Sequence, residues 1–230
     1  LYQVHAKRCL VEVSLDNQRK KPIVSEITIV DYGVGNLGSI QNMLRKIDAK
    51  FIVSSSPRDL ERAEKILLPG VGAFDSAMDT LHKKHFFDIL NEKVLIQKVP
   101  LLGICLGMQL LTEGSEEGKQ KGFGWIKGGA KKFDMKNYDR ELKVPHMGWN
   151  YIEPTNPSPL IAEMDDSYRF YFVHSYFVEC ADQKNVIAKA THGPKFDAII
   201  MKDNVFGAQF HPEKSHKFGM KLLSNFANNI

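Results

Sequence analysis

Cysteine is scarce in this chain: 230 residues contain only Cys9, Cys105 and Cys180. An odd number of widely spaced thiols excludes a disulfide framework, leaves at least one of them free and fits a reducing compartment. No apolar run approaches the roughly 18 residues of a membrane span, and no secretory leader with an apolar centre opens the sequence. A cytoplasmic protein with no membrane attachment is the expectation. Charge of one sign is also in short supply. Lys and Arg number 31 against 27 Asp and Glu, and the net +4 is spread along the chain, with "NQRKKP" at 17–22 the one dense basic run. That gives a nucleic-acid partner little support. Internal repeats, low-complexity tracts and a nucleotide-binding loop are missing too, and nothing implies a cofactor or a metal.

What is present suffices for a full core, with 43% hydrophobic and 25% charged residues. One α/β domain over residues 26–230 is the simplest organisation at this length. Residues 1–25 differ in texture and are expected to be an N-terminal extension or a cloning remnant, although the alternating "LVEVSL" could add an edge strand. From Glu26, short apolar runs ("EITIVDYG", "KFIVSS", "KILLPG", "PLLGIC") alternate with helix-like segments ("LGSIQNMLRKID", "RDLERA", "AFDSAMDTLHKK"). Continuous apolar strands joined by helical crossovers predict a mostly parallel central sheet with helices on both faces. After residue 120 the chain turns β-rich ("RFYFVHSYFVEC", "NVIAKATHG", "FDAIIMKD", "NVFGAQF"), which predicts an antiparallel β-extension before a closing helix, "HKFGMKLLSNFANNI".

The chemistry-bearing stretch is "GICLG" at 103–107. A cysteine between glycines two residues to either side, after an apolar strand and before a helix, has the spacing of a nucleophile elbow. The helix beginning near Leu106 directs free N–H groups at the sulfur and favours the thiolate. An ordinary core cysteine is the alternative. A thiol nucleophile needs a base, and "GAQFHPEKSH" supplies one. If residues 205–211 form a strand, His211 lies at its carboxyl end, on the same sheet edge as Cys105. Glu213 then lies two residues on, on the same side of an extended segment held by Pro212. A surface loop with a chance His and Glu would carry the same letters. In "LLPGVGAF" at 67–74, a glycine-punctuated turn can direct backbone N–H groups, from Val71 and Gly72 for example, at an oxyanion. An ordinary strand-to-helix turn reads equally well.

Taken together, "PGVGAF", "GICLGMQLL" and "QFHPEKS", in this order and at these separations, resemble the class I (triad-type) glutamine amidotransferases, whose fold is flavodoxin-like. "DYGVGNLGSI", "SEEG", "GFGWI", "VPHMGWN", "YFVHSY" and "FHPEKSH" resemble, more narrowly, the glutaminase subunits of imidazole glycerol phosphate synthases. The resemblance covers nearly all of 26–230 and leaves residues 1–25 unmatched. It implies Cys105 as nucleophile, His211 as general acid and base, and Glu213 as the group orienting the imidazole. It also implies oxyanion-stabilising backbone at Gly72 and Leu106, and L-glutamine bound among Gln109, Glu117, Ser175 and Tyr176. The implied partner is a (β/α)8-barrel cyclase subunit, forming a heterodimer. That subunit would use the ammonia to make imidazole glycerol phosphate and an aminoimidazole carboxamide ribotide in histidine biosynthesis. "KVPHMGWN" places Pro145, His146, Met147 and Trp149 in a short aromatic-rich loop suited to the centre of that interface; core packing of Trp149 is the alternative.

Three other readings stand beside this one. A paralogous glutaminase subunit could supply ammonia to a sugar-modifying enzyme of surface-polysaccharide synthesis, which the neighbouring or co-purifying protein would reveal. A stand-alone cysteine hydrolase of glutamyl compounds would need no partner. A catalytically silent binding module would leave Cys105 unreactive to thiol labels.

Overall fold

In the computed structural model of the chain, residues 25–136, 138, 142–165 and 167–230 are described. The reading of 1–25 as an extension or an added edge strand lies almost wholly outside those residues. Five parallel strands form one side of a sheet, β1 (Ile27–Val30), β2 (Phe51–Ser54), β3 (Lys65–Gly70), β4 (Leu101–Cys105) and, late in the chain, β12 (Val205–Ala208). Their spatial order is β2-β1-β3-β4-β12. Strands β3 and β4 are buried along their whole length, as the unbroken apolar runs predict for strands covered on both faces.

The covering layers follow from alternation. Ile27, Ile29 and Leu67 face a core closed by α1 (Leu37–Lys46) and the last helix, α6 (His216–Asn229). Val30, Ile66 and Leu68 face the opposite core, under α2 (Pro57–Arg62), α3 (Phe74–Lys83), α4 (Phe86–Asn91) and the short α5 (Leu106–Leu110). The remaining strands are β5 (Gly128–Lys132), β6 (His146–Tyr151), β7 (Glu153–Pro154), β8 (Arg169–His174), β9 (Tyr176–Cys180), β10 (Val186–Thr191) and β11 (Lys195–Lys202). Strands β11, β10 and β7 continue the sheet antiparallel from β12, while β9 pairs with β11 and β5. Strands β6 and β8 make a separate antiparallel ribbon. A mostly parallel sheet with an antiparallel extension is the architecture the sequence predicts. No helix among the described residues is long and apolar enough to cross a membrane.

"KVPHMGWN" departs from expectation: it is not a loop. His146–Tyr151 is a strand registered residue for residue on Arg169–His174. Alternation leaves Met147, Trp149 and Tyr151 at 62%, 42% and 54% exposure and puts His146 inside at 4%. His146 therefore cannot offer its side chain to a partner at this surface.

One buried charge ties the parallel sheet to the last helix. The Lys65 ammonium, at the start of β3, donates 3.0 Å and 2.8 Å hydrogen bonds to the carbonyl oxygens of Phe226 and Ala227 in the last turn of α6. It fills the C-terminal cap that this helix otherwise lacks and sits at the negative end of the helix dipole. Replacing Lys65 by Met is expected to cost about 1–3 kcal/mol by orphaning those carbonyls. Thermal unfolding should register it as a lowering of Tm by about 2–4 °C per kcal/mol, and an unchanged Tm would refute this account of the cap.

Candidate functional site

At the carboxyl edge of the parallel block, β4 ends in Cys105, and the backbone there takes φ +54° and ψ −110° before turning into α5. Few non-glycine residues adopt such a conformation, and the cost is tolerated where it projects a side chain into a site. The flanking glycines have a specific use. A Cβ on Gly107 would lie 2.0 Å from the Leu68 carbonyl oxygen, and one on Gly103 would lie 2.5 Å from the Gly107 carbonyl oxygen. Gly107 lets α5 press onto β3, and Gly103 lets it press onto β4. Gly107 thus makes room for the neighbouring strand rather than for the cysteine side chain. Cys105 itself is buried and its sulfur lies 4.0 Å from the Val173 carbonyl oxygen.

His211 approaches from the far side. Strand β12 ends at Ala208, three residues earlier than the sequence suggests, and Pro212–Lys214 folds into a 3-10 turn rather than staying extended. The turn still brings Glu213 back to the ring, with His211 Nδ1 at 2.8 Å from Glu213 Oε1. Both side chains are almost wholly buried. Burial alone would push the imidazole pKa down, but the close approach of Cys105 and the hydrogen bond to Glu213, with the charges of both added, outweigh it and raise it to about 10. The ring is thereby favoured as imidazolium. Its Nε2, on the Cys105 side, has no partner in hydrogen-bond alignment.

A cavity of about 380 Å³ joins these groups. Its wall contains Gly72, Cys105, Leu106, Gln109, Glu117, Ser175, Tyr176 and His211, so the sequence-assigned nucleophile, base, oxyanion and glutamine residues share one space. Pro145, assigned to an interface, lines the same cavity, next to a cis Val144–Pro145 bond. Gln109 is held in place by donating to the Tyr176 carbonyl at 3.0 Å and to Gln209 Oε1 at 3.3 Å. Glu117 accepts the Phe74 amide at 2.9 Å, at the start of α3 and two residues beyond Gly72. Gly72 has φ +98°, a conformation its missing side chain permits.

Several neighbours escape sequence reasoning. Gln209 Nε2 lies 3.8 Å from the Cys105 sulfur, and Val173, His174 and Lys214 line the cavity. Gln209 could have been found, since it stands two residues before His211 in a run read as strand. The histidines could not. His146 Nδ1 lies 3.1 Å from His174 Nε2, and His174 Nδ1 lies 2.8 Å from the Tyr176 carbonyl oxygen. A carbonyl only accepts, which fixes the proton of His174 on Nδ1 and makes its Nε2 the acceptor from His146. Burial, reinforced by neighbouring histidines, lowers His146 to a pKa of about 4 and His174 to about 3. These two rings are neutral at pH 7, so the cavity wall carries no competing imidazolium.

Beside the cavity mouth lies the outer face of β6. Trp149 stacks on His216 with ring centroids 5.6 Å apart, and the Arg169 guanidinium lies 5.7 Å from the indole. The Lys214 ammonium lies 5.8 Å from the Tyr171 ring. With Met147 and Tyr151 this is an apolar patch rimmed by cations.

The family model described as "Glutamine amidotransferase class-I" matches residues 28–230. The protein named imidazole glycerol phosphate synthase subunit HisH 2 of Methanococcus maripaludis is 50% identical over 200 residues, covering 87% of this chain and 98% of its own. The HisH 2 subunit of Pseudomonas aeruginosa is 49% identical over 200 residues, with the same coverage. In Leptospira borgpetersenii the protein named HisH is 43% identical over 202 residues, covering 88% of this chain and 99% of its own. Among solved structures, one described as a glutamine amidotransferase superposes with a TM-score of 0.68 at 14% identity, covering 89% of this chain and 99% of the other. The structure of PurLQS from Thermotoga maritima superposes with a TM-score of 0.66 at 17% identity, covering 90% and 99%. At such identities these two speak for the fold alone.

Proposed function

The chain belongs to the class I glutamine amidotransferases, and from that membership we propose that it is the glutaminase subunit of an imidazole glycerol phosphate synthase. It hydrolyses L-glutamine to glutamate and ammonia, and the ammonia passes to a separate (β/α)8-barrel cyclase. The observation that carries the reading is the meeting of Cys105, on a strained elbow, with the buried His211–Glu213 pair in one cavity. The half-identical relatives named as subunits of that synthase support the pathway.

The chemistry follows from the positions. Cys105 thiolate attacks the side-chain amide carbon of glutamine, and the carbonyl oxygen becomes an oxyanion beside the Leu106 amide and the Val71–Gly72 turn. Nε2–H of His211 protonates the amide nitrogen, and ammonia leaves with formation of a thioester. Water then gives a proton to Nε2 of His211 while its oxygen attacks the thioester and the C–S bond breaks, restoring thiolate and imidazolium and releasing the product as its side-chain acid, which loses its proton to solvent as glutamate. Glu213 keeps its oxygen on Nδ1 throughout. Gln109, Glu117, Ser175 and Tyr176 hold the amino-acid end of glutamine. Ammonia released at neutral pH is mostly protonated and poorly nucleophilic, so a receiving enzyme gains from a passage closed to bulk water. The apolar patch of Met147, Trp149 and Tyr151, rimmed by Arg169 and Lys214, is the surface on which the cyclase docks.

Docking and catalysis are coupled through the turn at 70–72. A glycine-bounded turn can hold its N–H groups away from the oxyanion until a contact reorients them. Losing one oxyanion donor costs roughly 100- to 1000-fold in other hydrolases. The chain alone is therefore expected to hydrolyse glutamine about that much more slowly than in complex with the cyclase and its acceptor substrate. Glutamate release measured with and without both is the test. A fully active lone chain would favour a stand-alone hydrolase and sink the coupling.

A further inference from the structure

Among the described residues, three buried side-chain polar atoms have no hydrogen-bond partner: His211 Nε2, Glu213 Oε2 and the Tyr32 hydroxyl. The first two belong to the proposed triad. The third has no use in the chemistry above, yet an orphaned buried hydroxyl is destabilising and uncommon. Tyr32 follows β1, is fully buried, and packs in the cluster that contains Leu68, Phe74 and Leu106. Its hydroxyl sits against Gly70, where an added Cβ would lie 2.8 Å from it and 2.7 Å from the Gly107 nitrogen. Burial, and after it the proximity of Cys105, push its pKa far above the usual phenol range, so it is a neutral donor at any working pH.

Gly70 is the last residue of β3 and pairs with Cys105 across the sheet. Val71 and Gly72, which follow it, line the cavity, whereas Tyr32 lies on the core side of the same turn. The peptide joining Gly70 to Val71 is planar and holds its C=O and N–H on opposite edges. A rotation that directs the Val71 N–H into the cavity must therefore swing the Gly70 carbonyl toward the core. A carbonyl arriving there without a donor would be costly. The Tyr32 hydroxyl is a donor already in place on that side.

We infer that Tyr32 is a positioning residue for glutamine hydrolysis, its hydroxyl unpaired in the resting site and donating to the Gly70 carbonyl when the 70–72 turn rotates to receive the oxyanion. The inference rests on the glutaminase reading above. The hydroxyl touches neither substrate nor sulfur in this scheme. It stabilises the rotated turn over the resting one, so it acts on kcat and leaves glutamine capture alone.

Tyr32→Phe keeps the ring and removes only the oxygen. In the complex with the cyclase, kcat for glutamine hydrolysis is expected to fall about three- to tenfold, the size of one neutral hydrogen bond. The KM for glutamine and the pH profile of Cys105 alkylation by iodoacetamide should stay as in the wild type, and the Tm should rise, because the variant no longer buries an unpaired hydroxyl. A wild-type kcat in the variant overturns the inference. So does a lowered Tm, which would mean that the hydroxyl is already bonded at rest, or a displaced alkylation profile, which would place its action on the sulfur. A wild-type protein that turns over no glutamine would overturn the glutaminase reading itself, and this inference with it.

Discussion

Replacing Cys105 by alanine or serine is expected to lower glutamine-dependent synthesis by about a million-fold, the loss seen when a nucleophile is removed from a comparable triad, while ammonium supplied from outside still supports the partner's reaction. The expectation comes from the division of space. Cys105 lies in a cavity whose wall is built from this chain, and in the proposed reaction its only use is to break the amide bond of glutamine. On that proposal nothing in the wall is needed once ammonia exists. The elbow geometry makes the substitution clean, because the strained φ of +54° is imposed by the packing of β4 and α5 through Gly103 and Gly107, not by the sulfur. The measurement is product formation by the reconstituted complex with glutamine and, separately, with an ammonium salt at a pH where free ammonia is appreciable. Failure with both nitrogen sources would show that Cys105 supports the partner's own site, and the separation of tasks would be wrong.

How much of this was legible beforehand depends on which physical signal each element carries. Strands β1, β3, β4 and β12 are covered on both faces, so apart from Thr28 and Lys65 their residues are apolar or glycine and they stand out in the letters. Cys105 was legible because glycines at two fixed positions are hard to explain otherwise. Strand β6 was not, because its pattern is inverted. It hides the polar His146 against the histidine network and exposes Met147, Trp149 and Tyr151. An apolar-out strand opened by proline and interrupted by Gly148 reads as a loop. Glu213 was assigned to the right neighbour for an incorrect geometric reason. The 3-10 turn at Pro212–Lys214 delivers the carboxylate, where an extended segment was expected to. The Tyr32 hydroxyl lay beyond any pattern, since a tyrosine at the end of an apolar strand looks like core and only the position of its oxygen against Gly70 says more.

Removing the imidazole should cost nearly as much as removing the thiol, and removing the charge behind it distinctly less. His211→Ala is expected to lower kcat for glutamine hydrolysis by about 10⁵- to 10⁶-fold, and Glu213→Gln by one to two decades less, following the ranking of base and orienting carboxylate in other triads. In the proposed mechanism His211 moves the proton at Nε2, whereas Glu213, 2.8 Å from Nδ1, holds the ring and supports its positive charge. The pH profile separates the two roles. On the proposed mechanism His211 must be protonated to expel ammonia, and its pKa is raised to about 10 by Cys105 and Glu213 against the opposing pull of burial. Without the Glu213 charge that value falls, so the alkaline limb of the kcat profile should move to lower pH in Glu213→Gln. Stability carries the same sign. A histidine whose folded pKa exceeds its unfolded value of about 6.5 stabilises the fold fully below that pH, and the contribution fades as pH rises toward 10. The wild-type Tm should accordingly decline between those limits more steeply than that of His211→Ala, which has no such proton to lose. Equal kcat losses in the two variants, with an unmoved alkaline limb in Glu213→Gln, would show that Glu213 takes no part in holding the charge on His211.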